Sequence, residues 1–223
     1  MNNNQIMDML TILLIVSLMI FMLTFSIGLP IYFRQFYYLH IDMLNLPQTT
    51  NLSYDVIKNA YDEVLDFLVF NKPFGVGELS YSRAGKEHFE DCKILFDLNF
   101  YALIGSSITV LCIFLLNKVK LIEVKKYFGL DPIFYSSICA LIVPLLVGIF
   151  AVIDFDTAFN LFHYVFFPGK GNFVFYPDID EIIKILPVEF FKNCALLIGS
   201  SLLILTTIMI ILSIIFKRKS IKD

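Results

Sequence analysis

The stretch MLTILLIVSLMIFMLTFSIGLPIYF, residues 9–33, carries no charged side chain. Crossing roughly 30 Å of hydrocarbon takes about 20 mostly apolar residues at ~1.5 Å each. This stretch is therefore long enough to span a bilayer. It must do so as a helix, because lipid leaves exposed backbone groups without partners. It does not read as a secretory signal. It outruns a signal's apolar core, no basic region precedes it, and it ends in Ile31-Tyr32-Phe33-Arg34 where a cleavage site needs small residues. Three more blocks of the same kind follow, at 99–117, 134–153 and 194–216. The apolar excess of the chain, 58% hydrophobic residues and a mean hydropathy of +0.77, lies in these four blocks. Pro30 sits where it can end the first helix, and Pro144 predicts a kink inside the third.

Lysines and arginines near the helix ends set the orientation. Lys118, Lys120, Lys125 and Lys126 crowd the link at 118–133, and Lys217, Arg218, Lys219 and Lys222 fill the tail at 217–223. Both are placed in the cytoplasm, and with them both termini. The loops at 34–98 and 154–193 then lie outside, after a first segment of 1–33. The predicted fold is an all-α membrane protein: four transmembrane helices and an extracellular, mostly helical cap formed by the two outer loops.

The outer loops are too rich in Phe, Tyr, Leu and Ile for disordered segments. Ser53 can cap a helix over 54–70 whose Ile57, Tyr61, Val64 and Leu68 share one face. Residues 71–77, NKPFGVG, break it. Ser82 can start a second helix carrying His88, Cys92 and Leu95 and continuing into the second span. In the other loop Phe159, His163 and Phe166 share a face, 168–172 (PGKGN) turns the chain, and 178–191 reads as a short amphipathic segment. An echo, LIGSS at 103–107 and at 197–201, places Gly105 and Gly199 where helices can approach closely.

The net charge of −3 and the absence of a basic run in the loops give nucleic-acid binding no support. Cys92, Cys112, Cys139 and Cys194 show neither metal-ligand spacing nor a disulfide framework, although Cys92 and Cys194 fall near one membrane face. No cofactor motif and no metal ligand set is present, and no protein partner is indicated.

Chemistry falls to the histidines, of which there are three: His40, His88 and His163. An imidazole titrating at ~6.5 can take up a proton and return it in the next step, which acyl transfer to an amine requires. His163 lies among Phe155, Phe159, Phe162, Tyr164, Phe166, Phe167, Phe173, Phe175 and Tyr176, and Asp91 follows His88 at the i+3 spacing that can orient it. Either histidine taken alone reads more readily as a hydrogen-bonded packing residue, and the aromatics read also as an interfacial belt. His40 has no such setting and reads as a loop residue. A serine nucleophile finds no GxSxG; Ser106, Ser107, Ser200 and Ser201 lie where helical hydroxyls bond back to carbonyls.

Two stretches, His88-Phe-Glu-Asp91-Cys-Lys93 and Phe162-His163-x-x-Phe166-Phe167 with Pro177-x-x-Asp180-x-Ile182-Ile183-x-x-Leu186-Pro187-x-x-Phe190-Phe191, give the chain its likeness. It resembles the bacterial lipoprotein intramolecular transacylases over nearly its whole length. Two positions depart from that pattern: Gly85 stands where an acid is expected, and Phe173 where a Trp is expected. The resemblance implies a multi-pass protein of the bacterial plasma membrane, an extracellular cap resting on four helices, and a site at the cap–membrane interface. It implies His88 and His163 as the catalytic pair, with Asp91, Phe162, Phe166, Phe167 and Phe173 in support. The implied substrates are diacylated bacterial lipoproteins held in membrane lipid, whose sn-2 acyl chain moves to the amine of the N-terminal Cys to leave the lyso form. The competing reading is a non-catalytic four-helix membrane partner or docking protein.

Overall fold

The computed structural model describes residues 2–219; Lys222 of the basic tail, and the side chains of Arg218 and Lys219, lie outside the described residues. The described chain is helical throughout, with one isolated bridge between Tyr127 and Leu130 and no β-strand among the described residues. Four helices are long and apolar enough to cross a membrane: α1 (Asn3–Tyr32), α5 (Arg83–Lys118), α6 (Pro132–Ile153) and α9 (Val188–Lys219). Between them lie α2 (Gln35–Met43), α3 (Leu46–Thr50), α4 (Tyr54–Phe70), α7 (Phe155–Phe166) and α8 (Ile182–Ile185). The chain divides into two compact units, one of residues Met1–Ile27, Phe100–Gly148 and Ile198–Asp223, the other of Gly28–Asn99 and Ile149–Leu197.

The first unit packs Leu14, Leu18 and Met22 of α1 with Ile113 of α5, Ala140 of α6 and Leu202 of α9. Its outer faces stay apolar and uncovered: Phe114 and Leu115 on α5, and Ile142, Val143, Leu146 and Val147 on α6, are all exposed. A surface of this kind is soluble only in lipid. Hydroxyls inside it bond back to their own helices, as Ser106 Oγ does to the Leu103 carbonyl (3.1 Å) and Thr206 Oγ1 to that of Leu202 (2.7 Å). The polar link after α5 folds onto α1: Lys125 N–H donates to Thr11 Oγ1 (3.0 Å), and Lys125 Nζ and Tyr127 Oη both reach Asp8. The expectation that Gly105 and Gly199 mark close helix approaches is not met. A Cβ at either position meets nothing within 4 Å, so both glycines face open space.

The second unit is built around α4. Ser53 caps it, its Oγ accepting from Val56 N–H (3.3 Å), and Ile57, Ala60, Tyr61, Val64, Leu65 and Leu68 form one buried stripe. Against the stripe lie Tyr37 and Ile41 of α2, Leu46 of α3, Val76 of the breaker stretch and Leu79 just after it, Phe89 of α5, Ile182 and Ile185 of α8, and Phe190 of α9. The Tyr37 ring stacks on Tyr61 at 3.6 Å, and its hydroxyl donates to the Ile185 carbonyl at 2.7 Å, tying the first loop to the second. A phenol so buried needs that acceptor. Arg34 bridges Asp62 (3.1 Å) and Asp66 on the outer face of α4. His40 is corrected here. It is a buried residue of α2, not a loop residue, with Nδ1 donating to the Phe36 carbonyl (2.6 Å) and its ring against Phe36 and Phe190.

Some helix ends lie outside the apolar blocks, as at Asn3, where α1 begins ahead of residue 9. The fourth helix begins at Val188, six residues before the apolar block, and takes up the end of the segment read as a separate amphipathic piece; only Ile182–Ile185 remains separate. The second cap helix and the second span are one helix, α5, as the continuation expected from Ser82 allows. All four cysteines are free.

Candidate active site

The site lies in the second unit, where the first turns of α5 meet α7 and the turn after it. Residues 83–98 of α5 hold seven charged side chains, from Arg83 to Asp97; hydrocarbon does not accept such a stretch, so the spanning part of α5 is its apolar remainder. The start of α5 is fixed by two loops at once. Ser82 Oγ accepts from Gly85 N–H (2.9 Å), and the buried Asp180 of the second loop accepts from Ser82 N–H (2.7 Å) and Ser82 Oγ (3.0 Å). This explains the glycine at the position where the resemblance calls for an acid. A Cβ on Gly85 would stand 2.3 Å from Asp180 Oδ1 and 3.1 Å from the Phe175 ring, so the carboxylate comes to this place from the other loop.

One turn further, His88 is buried, and so is His163 on α7. Their ring centroids are 5.7 Å apart with planes 28° from parallel. That spacing leaves no room for another group between the rings. Around the pair stand Phe167 (4.9 Å from His88, 5.8 Å from His163) and Phe175 (5.4 Å from His88). Phe159, Phe173 and Phe162 lie at 4.4, 5.0 and 5.6 Å from His163. Phe166, expected on the His163 face, is exposed and packs on Phe162 (4.6 Å) instead. Asp154 starts α7, its carboxylate accepting from Thr157 N–H (3.0 Å) and Thr157 Oγ1 (2.6 Å).

The nitrogens of the two rings are not equivalent. His163 Nδ1 lies 2.7 Å from the Phe159 carbonyl, which can only accept, so the neutral ring carries its proton there and a lone pair at Nε2. His88 Nε2 lies 3.4 Å from Cys92 Sγ, while its Nδ1 is buried and without a partner. Burial pushes both imidazoles below their ordinary value. For His88 the neighbouring His163 adds to the effect, Asp91 and Asn172 oppose it, and the result is about 4. Burial also pushes the Cys92 thiol up to about 12, so it stays protonated.

Asp91 does not bond to His88 directly. Its carboxylate is held by Lys170 and by Asn172 Nδ2 (2.9 Å), both from the turn after α7. Burial alone would raise Asp91, but these two donors outweigh it and hold the carboxyl below its usual range. Sequence reading saw Lys170 and Asn172 only as turn residues. The sole local signal is the pair Gly169 and Gly171, which flank Lys170 and precede Asn172, both in the left-handed region (φ 73° and 62°), and nothing in that spacing says which side chains turn inward. Phe175 is another member of the aromatic wall that was named only as part of the aromatic run. Among the described residues no group of three or more His, Cys, Asp or Glu is placed to hold a metal ion.

The fold is similar to that of the membrane integral lipoprotein intramolecular transacylase Lit from Bacillus cereus, at a TM-score of 0.87 and 24% identity, over 99% of this chain and 100% of that one. Structures of the same Bacillus cereus protein with one histidine replaced by arginine or by alanine match at TM-scores of 0.79 and 0.80, with 24% and 23% identity, over 99% of this chain and 96% and 97% of theirs. No curated protein sequence matches the chain. The profile of the family described as lipoprotein intramolecular transacylase Lit matches residues 12–191. With that match over most of its length, the chain belongs to the lipoprotein intramolecular transacylase family, whose members are membrane acyltransferases.

Proposed function

We propose that His88 and His163 form the acid/base pair of this transacylase. The reading rests on one observation: two buried imidazoles whose rings stand 5.7 Å apart within a wall of phenylalanines. In this reading His163 Nε2, the nitrogen left free by the Phe159 carbonyl, takes a proton from the ammonium of the lipoprotein's N-terminal Cys. The amine attacks the sn-2 ester carbonyl, a C–N bond forms, and the ester C–O bond breaks. The proton taken up passes from His163 to His88, whose Nε2, released from its weak contact with Cys92 Sγ by the substrate, delivers it to the departing glyceryl oxygen. The ammonium gives up two protons in all; one ends on that oxygen as a secondary alcohol and the other passes to solvent. The products are an N-acyl Cys and a monoacylglyceryl thioether, the lyso form.

Nucleophile and ester belong to one molecule, so the enzyme's main task is to hold them together. Such positioning supplies up to ~7–11 kcal/mol in favourable systems. The phenylalanines around the pair suit that task. They confine the acyl chains and keep out water, which would hydrolyse the ester. Low imidazole pKa values keep both rings neutral at physiological pH, the form needed to accept the first proton. Asp91, Phe162, Phe166, Phe167 and Phe173 support the pair or line the substrate's path, and the second unit is the extracellular cap in the orientation set by the basic clusters. A docking protein has no use for a buried imidazole pair, and membership in an enzyme family favours catalysis.

The test is mass spectrometry of one lipoprotein made with each variant. His88→Ala and His163→Ala are each expected to lower conversion by ~10²–10⁴-fold at preserved expression, and Ser106→Ala to leave it intact. Two lipoproteins with distinguishable acyl chains, mixed on one enzyme, should each keep their own chain. Exchange of chains between them, or full activity in either histidine variant, overturns the reading.

A further inference from the structure

Two polar atoms near the histidine pair are enclosed and have no hydrogen-bond partner: Nδ1 of His88 and Oδ1 of Asn172. Their chemistry is complementary. The Cys92 thiol stays protonated and lies 3.4 Å from His88 Nε2, and in the tautomer that leaves a lone pair on Nε2 the S–H donates to it. The proton of the neutral ring is then on Nδ1, a donor with nothing to receive it. Oδ1 of Asn172 is an acceptor with nothing to give to it, because the amide's orientation is settled at its other end. Nδ2 must face the Asp91 carboxylate, 2.9 Å away, since two acceptors do not pair. The Asp91 carboxylate is in turn fixed by Lys170, two residues before Asn172 on the same turn. Asn172 nonetheless stands near enough to the His88 ring to act on it as a side-chain hydrogen-bond partner, which favours the protonated form.

We propose that Asn172 is a positioning residue for the transfer reaction: its Oδ1 receives the Nδ1–H of His88 while Asp91 holds its Nδ2, so that the turn after α7 sets the tautomer and ring plane of a histidine on α5. This rests on the reading of His88 as a working group of the site. The two side chains are neighbours within hydrogen-bonding influence of each other, and buried polar groups are rarely left unjoined. The link also gives Asp91 its function. The carboxylate acts on His88 through an amide, which accepts from the imidazole without adding a negative charge that would keep the ring protonated. The titratable groups that face the ring are Asp91 and Cys92 on α5 and His163 on α7, with Lys170 behind Asp91.

The experiment uses the full-length protein in lipid-containing micelles and a synthetic diacylglyceryl lipopeptide. The chain has three histidines, so ¹⁵N labelling of His gives three rings to assign. His88 is expected as the Nδ1–H tautomer in the wild type and as a mixture or the Nε2–H form in Asn172→Ala. Outer partners that fix an imidazole typically matter by ~10–100-fold, and a loss of that size is expected in kcat with KM little changed. Asn172→Asp is expected to move the limb of the pH–rate profile governed by His88 to higher pH, because a carboxylate at this place favours the imidazolium. An Nε2–H tautomer in the wild type, or an unmoved tautomer and pH profile in both folded variants, overturns the proposal. Those results leave the acid/base pair standing. Full activity in His88→Ala removes the pair itself, and the wild-type ring spectrum then still decides whether Asn172 holds the imidazole.

Discussion

The three histidines differ in what burial does to them. His40 is a packing residue whose Nδ1 is used up by the Phe36 carbonyl and whose ring lies between phenylalanines of α2 and α9. His163 makes the same bond, from Nδ1 to the Phe159 carbonyl, and what sets it and His88 apart is that their two rings face each other. The sequence distinguishes them in part. The aromatic run around His163 and the Asp at i+3 from His88 are visible, whereas the setting of His40 takes only Phe36 from its own helix and is closed by Phe190 of α9, which local spacing does not show. Burial of the pair has a consequence for stability. Unfolded histidines titrate near ~6.5, His88 in the folded chain near about 4, and His163 below its ordinary value. Between about 6.5 and about 4 the unfolded state binds more protons. Stability is therefore full above this interval and falls as the pH drops through it. The carboxylates Asp62, Asp66 and Asp91, all held below their ordinary 3.8, act only below the interval. The thermal midpoint in detergent is expected to fall between about pH 7.5 and about pH 5 in the wild type. The fall should be smaller in the His88→Ala, His163→Ala double variant, and an equal fall there rules out the pair as its origin.

At the level of elements, periodicity was sufficient where one face packs and the other does not. The stripe on α4 and its Ser53 cap are readable because both follow from local spacing. The start of α9 is not readable from hydropathy. Val188-Glu-Phe-Phe-Lys-Asn precedes the apolar block, and it is helical because Phe190 packs into the core around Tyr37 and Tyr61. The start of α5 likewise depends on a partner remote in sequence. Asp180, 3% exposed, holds Ser82 from the second loop, and the absence of a Cβ at Gly85 lets it in. Asp180→Ala is expected to leave Ser82 N–H without its acceptor and to cost about 1–3 kcal/mol. Because His88 lies on the next turn, conversion should fall as well. Gly85→Ala should act in the same direction, since its Cβ would stand 2.3 Å from the Asp180 oxygen that holds Ser82 N–H. Unchanged thermal midpoints in both variants, read by tryptophan-free fluorescence-dye unfolding, count against this coupling between the two loops.

For the whole molecule, the apolar blocks dictate four crossings, and the helices α1, α5, α6 and α9 carry them. Which end of each helix faces the cytoplasm depends on charge. Lys118 ends α5, Lys120, Lys125 and Lys126 follow it, and Lys217 lies in the last turns of α9. Positive residues in short loops next to spans are retained on the cytoplasmic side during insertion. The loops of the second unit carry Asp and Glu in excess of Lys and Arg, and the histidine pair belongs to that unit. A lipoprotein with a free N-terminal amine is exposed on the outer face of the plasma membrane, so an enzyme acting on that amine needs its pair on the same side. Orientation and activity are thus one claim, and labelling checks it. In a cysteine-depleted background, Lys72→Cys and Tyr176→Cys, both at well-exposed positions, are expected to react with a membrane-impermeant maleimide added to intact cells. Glu123→Cys, exposed in the link after α5, should react only after the membrane is opened. Labelling of the link in intact cells, with residues 72 and 176 protected, would place the histidines on the cytoplasmic side, away from their substrate's amine.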